Sequence, residues 1–317
     1  MTYPAPREER KPRAVPPIMT NSNAPTDVRD FCLRVLQRGD LSTKLSAPLD
    51  DQGRALPDPR TDTAVHIDRP ARNLGLRMRG GRDRLPRPGQ LKDPEHRRLC
   101  LSRFAHHELM AIELFAWALL RWPSLPQPLR RGLLSALVDE QRHCRLYLAR
   151  LDAHGGHFET DDHSDYFWRQ VPAIASAPAG PRAFLAAVGL TLEQANLDFT
   201  LTYRDGFAEA GDIESAHVCQ TIHDEEIVHV ALAARWMNRL SEQEISDPSE
   251  APETDLDRYL AAVPFPLGPA RAKGRRFEAA PRRRAGLSEA LIDHVRQARS
   301  TTERGFESAE PPRRKRD

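Results

Sequence analysis

The sequence is poor in cysteine, in net charge and in long apolar runs. Its formal net charge is only +2 over 317 residues, so no strong overall field points to nucleic acid as a partner. The four cysteines show no CxxC spacing, which argues against a disulfide framework or a zinc ribbon and favours a reducing cytosol. They are Cys32, Cys100, Cys144 and Cys219.

No segment is typical of a signal peptide or a membrane helix. The N-terminus, MTYPAPREERKPR, is charged and rich in proline, and no apolar run follows it. The most apolar segment, MAIELFAWALLRW, is too short to span a bilayer and contains Glu113. We therefore expect a soluble, cytoplasmic protein with no membrane partner.

Proline, by contrast, is abundant, with 27 residues, and the mean hydropathy is low at −0.60. Most prolines lie before residue 100 or after residue 245, with regular apolar periodicity between them. This distribution predicts one helical domain with long irregular flanks. The expected units are a disordered tail (1–25), a helix and extended arm (26–93), the helical domain (94–240), a strap with a short helix (241–300) and a disordered basic tail (301–317).

Four long helical patterns are predicted, over 94–122, 128–154, 181–210 and 212–240. The first two are joined by only a few residues, as are the last two, so each pair should form an antiparallel hairpin. A long stretch separates the second pattern from the third. Two hairpins joined by one long crossover predict an all-α, ferritin-like four-helix bundle, here with extended N- and C-terminal arms.

A Glu-x-x-His pair occurs twice, in DEQRHCRLYL as Glu140 with His143 and in HDEEIVHVAL as Glu226 with His229. Residues three apart lie on one face of a helix, so each pair can reach one metal ion. A third such pair begins at Glu214, in the first turn of its helix, where the helix dipole already favours a carboxylate.

Another carboxylate precedes each pair, Glu108 before the first and Glu193 before the second. Glu108 and Glu140 lie equally far from the turn near Ser124, so both should reach the same height, roughly 24 Å along the hairpin. Carboxylates and imidazoles without thiolates favour two iron ions, with manganese as the alternative. The predicted metal ligands are Glu108, Glu140, His143, Glu193, Glu226 and His229. The competing interpretation is surface charge on polar helix faces.

Other polar residues fall near the predicted ligands. Glu113 lies about 140° around the helix from Glu108, so we expect it either to support a ligand or to bond between helices. Asp198 is its counterpart in the second half. Tyr147 shares the stripe of the first Glu-x-x-His pair and is a candidate hydrogen donor or radical site, with core packing as the alternative. His223 either orients a ligand or makes a plain polar contact.

Several stretches together resemble a ferritin-like family, the domain of unknown function numbered 455. They are LRMRGGRDRLPRPGQL, HHELMAIELFAWALL, DEQRHCRLYLARLDAHGG, DYFWRQVP, GLTLEQANLDF, HDEEIVHV and YLAAVPFPLGPARAKG. The resemblance covers nearly the whole chain and implies a ferritin-like fold. A more distant resemblance is to diiron tRNA hydroxylases that oxidise an isopentenyl group on a modified adenosine. It implies ligand roles for the same six residues, and no substrate-contacting motif carries over.

Three functions remain open from the sequence. The first is an oxygen-activating diiron oxidase or hydroxylase acting on a small molecule or a modified nucleoside. The second is a ferroxidase or iron-handling protein, and the third is a metal-poor scaffold that binds a partner or RNA. We expect a monomer or dimer. A basic arm either captures an anionic substrate or packs on an acidic face; its members are Arg69, Arg72, Arg77, Arg79, Arg82, Arg84 and Arg87.

Overall fold

The computed structural model describes residues 24–80, 84–160, 162–242 and 254–299. These residues are mostly helical, which confirms the predicted all-α class. Apart from residues 24 and 25, the predicted disordered tails lie outside the described residues. The helices are α1 (Val28–Gln37), α2 (Leu41–Lys44), α3 (Pro94–Arg121), α4 (Gln127–Ala153), α5 (Val171–Ser176), α6 (Pro181–Phe184), a π-helix (Leu185–Glu193), α7 (Gln194–Glu209), α8 (Ile213–Glu242), α9 (Asp255–Ala262), α10 (Ala279–Arg284) and α11 (Glu289–Gln297). Two short strands, β1 (Met78–Arg79) and β2 (His163–Ser164), form a parallel pair.

Helices α3 and α4 form the first hairpin and pack along each other. Asp93 begins α3 by accepting a hydrogen bond from the Glu95 amide, and Pro94 occupies the first helical position. Helix α4 begins after Pro126 and ends before Gly155, whose φ of 71° lies in the left-handed region. Both predicted helices agree with the structure within one residue at each end.

The third predicted helix is helical throughout, but its middle is a π-helix rather than an α-helix. The wider turn is visible at Thr191, whose hydroxyl donates a 2.8 Å hydrogen bond to the Ala186 carbonyl five residues earlier. Gly189 lets this segment approach α8 closely, because a Cβ there would lie only 2.2 Å from the Ala233 Cβ. The apolar pattern of the segment predicts a buried helix and does not reveal the change of turn.

Helices α7 and α8 form the second hairpin, and α8 also packs against α4 and the π-helix. Gly211, with φ of 79°, makes the turn, and buried Asp212 accepts a 3.1 Å hydrogen bond from the Ser215 amide at the start of α8. Asp212 also accepts a 2.9 Å hydrogen bond from Arg150 of α4. One buried carboxylate therefore caps a helix and ties the two hairpins together.

The arms are more helical than predicted. Helix α1 lies within the predicted 26–37 segment, capped by Asp27, and packs on α3. At the other end, α9 occupies residues that we expected to form part of a linker and strap, because a capping box of Thr254 and Asp257 begins a helix there. Within the described ranges, no helix has both the length and the apolar character needed to cross a membrane.

Candidate metal centre

All six predicted ligands come together in two overlapping, buried groups. Within each group, one ligand atom from every residue lies within 4.8 Å of the others. The first group is Glu108, Glu140, His143 and Glu226, and the second is Glu140, Glu193, Glu226 and His229. Glu140 and Glu226 belong to both groups, so their carboxylates lie between the other four side chains.

Each ligand is positioned by a long helical segment. Glu108 lies on α3, and one Glu-x-x-His pair lies on α4 and the other on α8. Glu193 is the last residue of the π-helix, at the point where the α-helical pattern resumes. Wide π turns within helices are frequently found at functional sites, and this nine-residue segment is longer than the usual single turn.

The two histidines are oriented alike. Nδ1 of His143 lies 3.3 Å from Oε2 of Glu140, and Nδ1 of His229 lies 3.0 Å from Oε1 of the same residue. The Nε2 atoms face outward to two further carboxylates. Nε2 of His143 lies 2.6 Å from Glu225, and Nε2 of His229 lies 3.4 Å from Asp139. A carboxylate at Nε2 favours the tautomer that leaves the inward-facing Nδ1 lone pair available.

These outer pairs cross between the hairpins, since Asp139 on α4 serves His229 on α8 and Glu225 on α8 serves His143 on α4. Sequence reasoning missed both carboxylates. A signal was present, because an acidic residue directly precedes the glutamate of each Glu-x-x-His pair. Asp139 and Glu225 therefore extend the internal repeat of the ligands to the residues that orient them.

Burial controls the ionisation of the two glutamates that occur in one group only. It raises the pKa of Glu108 well above the ordinary value, and the charge of Glu140 raises it further. Burial and the charge of Glu226 raise the pKa of Glu193 in the same way. In the absence of a metal ion, burial thus shifts both carboxyl groups toward their protonated forms.

Glu140 and His143, by contrast, have pKa values shifted toward their charged forms. Burial alone would raise the pKa of Glu140, but His143 and His229 outweigh it and hold that pKa well below the usual range. Burial opposes protonation of His143, yet the adjacent Glu140 and the hydrogen bond to Glu225 raise its pKa to about 10. The cluster thus needs positive charge at its centre, which protons or metal ions can supply.

Three buried polar atoms at the centre have no hydrogen-bond partner: Oε1 of Glu140, Oε2 of Glu226 and Nδ1 of His229. Nδ1 of His229 lies 3.0 and 3.3 Å from these two oxygens, but the angles do not suit a hydrogen bond. These atoms therefore face one another as ion pairs only, and a buried polar atom that makes no hydrogen bond costs about 1–3 kcal/mol. Oxygen and imidazole donors converging in this way fit divalent metal ions.

A cavity of about 980 Å³ reaches the ligands from one side. Glu108 and Asn196 both lie in its wall. The Asn196 amide donates hydrogen bonds of 3.1 Å to Glu226 and 3.4 Å to Glu193. A molecule in this cavity would therefore lie next to the ligand set.

Tyr147 also lies in the cavity wall. Its ring packs 5.1 Å from that of Phe104, and its hydroxyl lies 4.0 Å from the Cys219 sulfur. Burial raises the pKa of Tyr147 well above its usual value, so the phenol keeps its proton. These contacts match the core packing expected as the alternative, and its role as a hydrogen donor or radical site stays a prediction.

Glu113 is absent from both ligand groups among the described residues. Its buried carboxylate accepts two 2.8 Å hydrogen bonds from Arg72, lies 2.9 Å from Nζ of Lys44 and accepts a 2.9 Å bond from Trp168. These contacts anchor the N-terminal arm and the crossover on α3. The expected support of a ligand by Glu113 stays a prediction.

Asp198 has the equivalent role in the second half. It accepts hydrogen bonds from Arg282 at 2.8 and 2.9 Å and from the backbone amides of Gly274 and Glu278 at 2.9 and 2.8 Å. The two residues at matching positions thus hold opposite arms. His223 makes the plain polar contact of its two predicted roles, 3.2 Å from the Thr200 hydroxyl.

The basic arm contacts acidic residues of the domain. Arg69 lies 3.7 Å from Asp165, and Arg79 lies 2.5 Å from Asp162, both in the crossover. Arg72 is held by Glu113, as described above, and Arg82 lies outside the described residues. For these three arginines the structure agrees with an arm packed on an acidic face.

The motifs around this site identify the family. A family model described as "Protein of unknown function (DUF455)" matches residues 36–293. The chain belongs to the DUF455 family. All six ligands and both outer carboxylates lie within the matched residues, so the candidate centre is part of the DUF455 region. Comparison with curated proteins and with solved structures found no match.

Proposed function

We propose that the two hairpins form a ferritin-like four-helix bundle that holds two metal ions and activates dioxygen, as an oxidase or a hydroxylase. Iron is the ion that we propose, with manganese as the alternative, because the donors are carboxylates and imidazoles. The observation that carries this proposal is the pair of overlapping buried groups that share Glu140 and Glu226. We assign residues 94–240 to the metal-binding domain and residues 26–93 and 241–300 to arms that cover it.

Each ion would have its own pair of ligands, Glu108 with His143 for one and Glu193 with His229 for the other. Glu140 and Glu226, which belong to both groups, would help to hold both ions. Two ferrous ions held by this set would supply electrons for the reduction of dioxygen. The buried atoms without hydrogen-bond partners support this use of the site over surface charge and over a metal-poor scaffold.

The remaining residues prepare the site for that chemistry. Asp139 and Glu225 hold the protons on Nε2 of the histidines and so fix both rings. Buried apolar side chains shield the ligands except on the side of the cavity, where a bound substrate would exclude water and so limit side reactions. Tyr147 keeps its phenolic hydrogen at the cavity wall, where we propose that it is available for donation.

The cavity favours an organic substrate over iron alone. A ferroxidase needs a path for small ions, whereas this space of about 980 Å³ has the size and the aromatic lining of a small-molecule site. We therefore favour oxidation of an organic substrate over iron handling.

Metal analysis and oxygen uptake test the proposal. The full chain, expressed in iron-replete medium, should contain about two metal ions per chain, and its anaerobic ferrous form should consume oxygen when mixed with aerated buffer. Glu140→Gln and Glu226→Gln should remove most of the metal, because each residue serves both groups.

Asp224→Asn is the matched control, since Asp224 is an exposed acid on the same helix that contacts Gln220. It should leave the metal content unchanged. Less than about half an equivalent of metal in the unaltered protein, or no oxygen uptake by the ferrous form, would contradict the proposal.

A further inference from the structure

The cavity beside the ligands has two chemically different ends. Its inner end contains the buried side chains of Glu108 and Tyr147. Its outer end contains Arg169 and Arg271, which are exposed, and Lys273, which is half-buried. A molecule that entered would therefore pass from a cationic mouth to the ligand set.

Aromatic rings make up much of the wall between these ends. They belong to Phe104, Tyr147, Tyr166, Phe167 and Phe199. Besides the charged residues, the polar side chains that accompany them are those of His107, Gln170, Asn196 and Thr200. Such a wall provides contact area for an apolar body and few hydrogen bonds for a polar one.

The cavity wall contains more cationic side chains than carboxylates. Among its described residues, Glu108 is the only carboxylate, and it lies at the inner end with the metal ligands. Arg169 is partly neutralised, because Asp165 lies 2.8 Å from its Nε. Arg271 of the C-terminal strap is exposed at the mouth and supplies positive charge there. Lys273 lies in the same wall, and its Nζ donates a hydrogen bond to the Arg296 carbonyl.

The strap is firmly positioned. The Gly274 amide, next to Lys273, donates a 2.9 Å hydrogen bond to buried Asp198. Arg282 binds the same carboxylate and the Ala272 carbonyl at 2.9 Å. The C-terminal arm therefore completes the wall of the cavity, and its cations stand at a fixed place over the mouth.

We propose that the substrate is an amphipathic anion, with an apolar aliphatic or aromatic body directed toward Glu108 and a carboxylate or phosphate held at the mouth by Arg271. That this molecule is oxidised as a substrate rests on the proposed function, but its binding needs neither oxygen nor turnover. The part of the molecule that lies near the metal centre is then its apolar end, and the anionic group remains at the mouth.

Calorimetric titration of the iron-loaded full chain under argon tests this inference. The probes are octanoate and octyl phosphate, with 1-octanol as the uncharged control and acetate and inorganic phosphate as controls without the apolar body. We expect at least one of the two amphipathic anions to bind at least about tenfold more tightly than every control, and added salt to weaken that binding. The tighter of the two anions identifies the anionic group.

Arg271→Gln should weaken binding of the preferred anion about fivefold, the effect expected for one partly exposed charge. Arg275→Gln is the matched control, because Arg275 is exposed on the same strap and is not among the residues that line the cavity. It should bind as the unaltered protein does. Circular dichroism and iron content should be the same for both variants.

Two results would overturn the inference: octanol or the small anions binding as tightly as the amphipathic anions, or equal effects of the two arginine variants. Its failure is separable from that of the proposed function. Loss of the binding pattern with normal oxygen uptake removes only the substrate class. A normal binding pattern without oxygen uptake removes the oxidative function and leaves the binding site.

Discussion

Replacing Glu113 by glutamine tests whether this residue anchors the N-terminal arm or supports the metal ligands. Its fully buried carboxylate neutralises two buried cations, Lys44 and Arg72, at 2.8–2.9 Å. Glutamine has nearly the same shape but no charge, so both cations would remain buried without their counter-ion. Removing one partner of such a buried pair costs about 3–5 kcal/mol. We expect Glu113→Gln to lower the free energy of unfolding by an amount in this range.

Urea unfolding followed by circular dichroism measures the change. Glu289→Gln is the matched control, because Glu289 pairs with Arg283 at the surface and its loss should leave the midpoint nearly unchanged. The double variant Glu113→Gln with Lys44→Met should be less unstable than the sum of the two single variants. Iron bound per folded chain should not change. A cost no larger than that of the control, or loss of iron from folded protein, would refute the reasoning.

Three further predictions follow from other contacts. Asp139→Asn and Glu225→Gln should each weaken metal binding about 10- to 100-fold, measured by chelator competition, since each loses the carboxylate that orients a histidine; unchanged affinity would contradict this. Gly189→Ala should cost about 1–3 kcal/mol in urea unfolding, because its methyl would overlap that of Ala233; Ala233→Gly should restore part of the loss, and absence of any rescue would argue against the contact. Burial would raise the pKa of Glu113, but Arg72 and Lys44 hold it below 4.5 in the folded protein. The difference in free energy of unfolding between unaltered protein and Glu113→Gln should therefore have its full value above pH 4.5 and shrink as the pH falls through that folded pKa. A difference independent of pH would contradict this.

The convergence of the six candidate ligands could be predicted because it follows from helix geometry alone. Glu-x-x-His places two side chains on one face, and equal distances from the turn near Ser124 bring Glu108 and Glu140 to one height. The internal repeat supplied the second half by the same argument. Apolar periodicity also gave the bounds of α3 and α4 within one residue.

Other features depend on contacts between distant segments, which a linear pattern does not show. The π-helix that ends at Glu193 lies in an almost wholly apolar run, where no period distinguishes a wide turn from an ordinary one. The pairing of Asp139 with His229 and of Glu225 with His143 requires the packing of α4 against α8. The cavity combines residues from both hairpins, the crossover and the strap, so no single stretch predicts it.

Glu113 shows the same limit in a single residue. Its position on the helix shows that its side chain does not point in the same direction as that of Glu108. Support of a ligand and a bond between helices both remained open. Only the fold brings Lys44, Arg72 and Trp168 to its carboxylate, and these contacts favour the role of an anchor. The matching position, Asp198, holds the other arm through Arg282, so the repeat extends beyond the metal ligands.

Anomalous diffraction at the iron edge from crystals of the iron-loaded protein tests the central claim most directly. We predict two anomalous peaks, one in each ligand group, with Glu140 and Glu226 contacting both ions. No peak among these six side chains in iron-loaded crystals, or a single peak that leaves either histidine without a metal contact, would contradict the account.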